Sequence, residues 1–369
     1  FPLACGGFNL PSPPSWTRAA GQAAERGRQW LAEIIPRSEA PVSMDVTTKE
    51  CGMNIVPEKF LGEDEYSEVW RGRVITDVWA GTDVAMKFVN LQRITEDRIT
   101  RESMIMTELA GDHAVKYYGW IRFGEDKYAL LMEVGDGNLQ EAVISKSFEE
   151  VGLATRIRLV MQLLQGLQAM HDKGFVHRDV KPESLIVFGS GDAMELKVAN
   201  FVHTCRSGGD DAQCLALVAC QPESLMYAAP EVIGKSARDK AWGPKSDTWA
   251  AGLIFYRLLF SGHMPRMYNE AKARHQFDRF CEEWSKFDIS QDRDFQYALE
   301  AATNAQDRRL KQVLDVMKWM LDPRQASRYD AAKAFDALAA VGELSAPQAA
   351  EFQELLAEAQ RQAGERKGR

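Results

Sequence analysis

The stretch His177-Arg178-Asp179-Val180-Lys181-Pro182-Glu183-Ser184-Leu185 decides how the rest of this chain is read. Upstream of it, from about Lys59 to Val134, the pattern is strand-like. Phe60-Leu61, Glu68 to Val74, Val84 to Val89, Val115 to Ile121 and Tyr128 to Met132 are short β-prone runs cut by Gly, Asp and Glu turns. One helix is expected among them, Thr95 to Leu109, with Glu96 and Asp97 in its first turn. After Gly135-Asp136-Gly137 the chain turns mostly helical. Ile157, Val160, Met161, Leu164 and Leu167 recur at helical spacing and give one buried face. Trp249 to Phe260 is apolar nearly all round, as for a helix at the centre of a large core. It is interrupted by Gly252 and Arg257 and is too short to cross a bilayer.

Further landmarks stand in order around the opening stretch. Val84-Ala85-Met86-Lys87 is followed by Glu102, and Leu196-Lys197-Val198-Ala199 leads into Asn200-Phe201-Val202. Ala229-Pro230-Glu231, Asp247-x-Trp249-x-x-Gly252, and Arg328 after Asp322-Pro323 come later. In this order, over roughly Lys59 to Leu338, they resemble the protein-kinase superfamily, and the opening stretch is similar to its catalytic loop at all positions but one. The fold class this implies is α+β, a protein-kinase-like bilobal fold. It would comprise an N-terminal extension (1–53, with a helix over 16–35), a small β-rich N-lobe with one helix (54–134), a large helical C-lobe (135–341) and a C-terminal helical tail (342–369).

The resemblance also implies roles. Asp179 would accept the substrate hydroxyl proton and Lys181 would steady the transferred phosphate, in a loop completed by His177 and Arg178. Lys87 would pair with Glu102. Gly62, Asp64, Ser67, Met132 and Val134 would border the nucleotide, Ser184 and Asn200 would fall at the two metal-ligand positions, and Glu231, Asp247 and Arg328 would be structural.

The departures carry the functional reading. Of the glycine-rich loop only Gly62 survives, with Asp64 and Ser67 at the other two glycine positions ahead of Val69. Glu63, Asp64, Glu65 and Glu68 put four carboxylates along the loop, which should repel a triphosphate that glycines would cradle. Magnesium is held through anionic oxygens. Here the family's metal-binding aspartate is Asn200, a neutral amide, and the catalytic-loop asparagine is Ser184, a shorter hydroxyl. ATP and magnesium binding are therefore expected to be weak or absent. For Lys87 and Glu102 a structural role is favoured, because a buried charge without its partner is costly. Asp179 is compatible with either role.

The remaining features bear on setting. Hydrophobic residues are 45% and charged residues 27% of 369, so a buried core is within reach and wholesale disorder is excluded. Lys plus Arg total 45 against 53 acids, a net charge of -8, which argues against a nucleic-acid binder. The expected partner is a protein. A basic amphipathic helix over 16–35 can lie on a membrane, although packing on the body of the protein is favoured. Cys5, Cys51, Cys205, Cys214, Cys220 and Cys281 are disulfide candidates, three of them crowded into the segment between Asn200 and Glu231. Six free thiols are the alternative reading. The start at Phe1 rather than Met tips the balance towards secretion.

These features together are similar to the secreted rhoptry and dense-granule kinases of apicomplexan parasites, in the branch that lacks a glycine loop and includes a cyst-wall pseudokinase. That resemblance implies a pseudokinase in a parasitophorous vacuole or cyst wall, binding or scaffolding other proteins. Two alternatives stay open: an atypical active kinase using Lys87 and Asp179, and a structural component of an extracellular wall.

Overall fold

The computed structural model describes residues 46–47, 54–63, 67–75, 80–90, 95–109, 111, 113–123, 127–207, 226–233, 242–265 and 287–365. They belong to two compact units, one up to Val134 and one from Gly135 onward. The helix expected over residues 16–35 lies outside the described residues.

In the first unit, β1 (Val46–Thr47), β2 (Asn54–Glu63), β3 (Ser67–Val74), β4 (Asp83–Asn90), β5 (Tyr117–Phe123) and β6 (Lys127–Met132) form an antiparallel sheet in the order β1-β2-β3-β4-β6-β5. Successive side chains alternate between its faces. Val69 lies opposite Lys87 and Lys87 opposite Leu130, so these three share one face. Trp70, Met86 and Leu131 are likewise aligned on the other. That second face carries a core of Ile55, Trp70, Val74, Val84, Met86, Ile121 and Leu131. Helix α1 (Glu96–Glu108) packs along β5 through a side that buries Ile99, Ile105 and Met106.

In the second unit, Asn138 and Glu141 close a reciprocal cap on α2 (Leu139–Ile144). Helix α3 (Leu153–Asp172) follows, then the short strands β8 (Phe175–Val176), β9 (Leu185–Phe188), β10 (Glu195–Val198) and β11 (Cys205–Arg206); β7 (Gly137–Asn138) edges β9. After α4 (Pro230–Ile233) comes α5 (Pro244–Leu259), buried from Ser246 to its end. Pro244 suits the first helical position, where no backbone donor is needed. A Cβ on Gly252 would come within 2.9 Å of the Leu321 side chain, so the close passage there requires glycine. Helices α6 (Arg293–Asn304), α7 (Arg308–Met320) and α8 (Ala331–Ala339) are each capped by an aspartate, Asp292, Asp307 and Asp330. The last helix, α9 (Ala346–Glu365), buries Phe352, Leu356 and Ala359 and packs on α6 and α3. The C-terminal tail is thus part of the core of this unit.

Candidate functional site

The catalytic-loop stretch links β8 to β9. Because β8 pairs with β11 and β9 with β10, the loop lies beside the segment that starts at Asn200. Asp247, in the first turn of α5, holds it down. Its carboxylate accepts the backbone N–H groups of His177 (2.8 Å) and Arg178 (2.9 Å) and bonds His171 Nε2 (2.8 Å). An acid near a helix N-terminus is favoured by the helix dipole as well. Arg178 itself adopts φ +71°, a conformation uncommon outside glycine, which Asp247 helps to hold.

Around this anchor the side chains are distributed as follows. His177 Nε2 bonds the Ala199 carbonyl at 3.0 Å, and its ring packs on Phe201. The buried Arg178 guanidinium lies 5.1 Å from the Trp242 ring centroid and donates to Cys205 Sγ at 3.1 Å. Burial lowers its pKa to about 10, opposed by the charge of Asp247. Lys181 Nζ is 3.1 Å from Asp179 Oδ2, while the buried Asp179 Oδ1 has no partner among the described residues. Asp179, Arg178, Tyr227, Trp242 and Ser246 border a cavity of about 10 Å³, room for about one water.

The two metal-ligand positions are arranged differently from each other. Ser184 is fully buried, and its hydroxyl donates to the Asp179 carbonyl at 2.9 Å. Asn200 takes a left-handed conformation, φ +61°, which Asn tolerates better than most residues. Val202, which ends the Asn200-Phe201-Val202 stretch, is buried.

Glu231 receives both terminal nitrogens of Arg328, at 2.7 and 2.8 Å, and the Ser246 hydroxyl at 3.0 Å. The Arg328 guanidinium lies 4.8 Å from the Trp249 ring centroid. Such a two-pronged pair ties α4 to Arg328, three residues ahead of α8.

In the first unit, Lys87 Nζ bonds Glu102 Oε1 at 2.8 Å, joining β4 to α1. One residue on, Ser103 and Tyr117 share a 2.6 Å hydrogen bond. Met132 is buried at the end of β6 and Val134 is half-buried. Gly62 lies opposite Val69, and Ser67, opposite Val89, is buried. Asp64 and Glu65 lie outside the described residues.

The expected wall of four carboxylates needs correction here. Glu63 lies opposite Glu68, and Glu68 opposite Phe88, which places both acids on the Trp70 face, away from Lys87. Glu68 is buried and accepts the Trp70 indole N–H at 3.3 Å. Strand alternation turns these two acids from the side where the family binds phosphate. Cys205 is the one cysteine among the described residues; Cys5, Cys51, Cys214, Cys220 and Cys281 lie outside them.

The donor set does not fit a magnesium nucleotide. Asn200 brings a neutral amide where a carboxylate would be needed, and the Ser184 hydroxyl is sealed inside the loop. Three residues of this region escaped the sequence reading. His171 and Tyr227 gave no signal of their own, whereas Arg257 showed itself as the lone charge in an apolar run.

A β-rich unit with a Lys–Glu pair to its helix, and a helical unit with an aspartate-anchored loop, define a protein kinase fold. The chain belongs to the protein kinase domain family, whose match spans residues 55–338. Among curated relatives, it is 29% identical over 224 residues to CBL-interacting serine/threonine-protein kinase 20 of Arabidopsis thaliana, covering 56% of this chain and 45% of that one. It is 34% identical over 182 residues to serine/threonine-protein kinase DCLK3 of Homo sapiens, covering 47% and 26%. Against calcium/calmodulin-dependent protein kinase type 1 of Caenorhabditis briggsae the identity is 28% over 216 residues, covering 58% and 56%. The chain thus spans less than two thirds of the length of each of these relatives.

Proposed function

We propose that this protein is a pseudokinase: a kinase fold that binds other proteins and has little or no affinity for ATP. The observation that carries the proposal is the state of the two metal-ligand positions: Asn200 is a neutral amide where the family has a carboxylate, and Ser184 is buried with its hydroxyl bonded to the Asp179 carbonyl. A triphosphate brings several negative charges, and a neutral amide at Asn200 cannot anchor the divalent cation that would offset them. In this reading Lys87, Glu102 and Asp247 persist because each completes a buried network.

The same proposal places the protein on a secretory route, ending in a parasitophorous vacuole or cyst wall, with cysteines of the Asn200–Glu231 segment bridged. The cysteine crowding and the degenerate loop support it. Mass mapping without reductant tests this part, and six free thiols in the mature protein would overturn it.

A second reading has one observation of its own. Asp179 Oδ1 is buried and bonds nothing among the described residues, so this oxygen is not used by the loop itself, and a substrate hydroxyl is the group it would take in an active kinase. Calorimetry with ATP and magnesium decides between them: the proposal expects no metal-dependent heat.

A further inference from the structure

Arg257 is 8% exposed, and no carboxylate among the described residues bonds it. Its Nε donates to the Gly262 carbonyl at 3.2 Å, and its Nη1 is shared between Gln140 Oε1 (2.7 Å) and the Tyr227 hydroxyl (2.8 Å). All three acceptors are neutral. Two other buried arginines are matched more fully: Arg328 meets Glu231, and every arm of Arg156 ends on a backbone carbonyl. Arg257 Nη2 bonds nothing among the described residues and is not sealed from solvent. Buried cations are ordinarily neutralised by an acid. This one is held in place by neutral groups and keeps one arm open.

The neighbours of Arg257 add further unused donors. Tyr227 gives its oxygen to Arg257, so its own hydrogen is left to donate. Burial pushes that phenol up to about 12, so the hydrogen stays on at physiological pH. Gln140 gives its amide oxygen and keeps two N–H groups. Glu183, an exposed acid that acts on Tyr227 at a distance, bonds neither residue. One turn beyond Gln140 on the same side of α2, Ile144 is 69% exposed. Donors with one fixed positive charge thus stand beside a bare aliphatic side chain.

We propose that Gln140, Tyr227 and Arg257 form a receptor for an oxyanion on a partner polypeptide, an aspartate, glutamate or phosphorylated side chain, with an apolar neighbour seated on Ile144. Charge complementarity selects the partner: a guanidinium with an adjacent hydroxyl matches carboxylate and phosphate oxygens and rejects lysine. The proposal rests on the binding-module reading and gives that module's partner its chemistry.

The test is fluorescence anisotropy of the whole chain with labelled decapeptides identical but for one residue: Asp, phosphoserine, Ser or Lys, followed by Leu. The Asp or phosphoserine peptide should bind at least roughly tenfold tighter than the Ser peptide, with the Lys peptide weaker still. Preference between the two anionic peptides identifies the source of the oxyanion. Arg257→Gln should weaken anionic binding roughly tenfold and Tyr227→Phe roughly threefold, with the Ser peptide unaffected. If Arg257→Gln does not fold, Tyr227→Phe and the surface change Ile144→Ser carry the test. Equal binding of all four peptides, binding of none, or indifference to Tyr227→Phe would overturn the site. Phosphate transfer from ATP to these peptides, measured in parallel, separates the two ideas: transfer with anion preference defeats only the pseudokinase reading, and no preference without transfer defeats only the receptor.

Discussion

The Ser184 hydroxyl and the Asp179 carbonyl meet at 2.9 Å within one turn of chain, both buried. A residue at a metal-ligand position is thereby used to close the loop that carries the retained aspartate. Ser184 and Asp247 hold the shape of the loop from its two ends.

It follows that restoring one ligand will not suffice. Asn200→Asp alone returns one carboxylate, while position 184 stays a buried hydroxyl. The single variant should show no metal-dependent ATP binding by calorimetry. Asn200→Asp with Ser184→Asn should show it if the loop accepts the larger amide. Robust phosphate transfer by the single variant would contradict this account.

The Lys87–Glu102 pair makes a prediction about stability. Both side chains are buried, so Lys87→Met leaves an uncompensated carboxylate. We expect a loss of about 3–5 kcal/mol in urea unfolding, largely recovered when Glu102→Leu is added. A Lys87→Met variant as stable as the parent would mean that the lysine is kept for chemistry.

Arg328→Met should cost about 3–5 kcal/mol as well, because Glu231 would remain half-buried with Ser246 as its one side-chain partner among the described residues. Circular dichroism melts of the variant check this.

The tail helix is expected to behave as core. Phe352 is 1% exposed, and Phe352→Ala should destabilise by about 3–5 kcal/mol although it lies beyond the family match at residue 338. A truncation before Ala346 that unfolds at the same urea concentration as the parent would show that α9 is dispensable.

Alkaline pH should weaken the fold. Burial raises the phenols of Tyr117 and Tyr227 to about 12 each. Both keep their protons in the folded chain where an unfolded tyrosine, near about 10, has lost its own. Stability is then full below about pH 10 and falls between about pH 10 and pH 12, by about 2–3 kcal/mol for each residue. Urea titrations across that window should show the fall, made shallower by Tyr117→Phe.

Most of the fold was legible because its landmarks are local. The apolar run from Trp249 announces α5, and the Val84–Lys87 stretch announces the strand that meets Glu102. The charge reading of the loop failed where it ignored alternation: Glu68 is one residue out of phase with Val69 and so faces away from Lys87. The partners of Arg257 were not legible at all. Gln140 and Tyr227 lie 117 and 30 residues away, and only the packed structure brings them to one guanidinium.

Titration of the intact protein with ATP, in matched buffers with and without magnesium, tests the central claim most directly. The account predicts the same negligible heat in both. Tight binding that appears only with the metal, joined to phosphate transfer that Asp179→Ala abolishes, would contradict it.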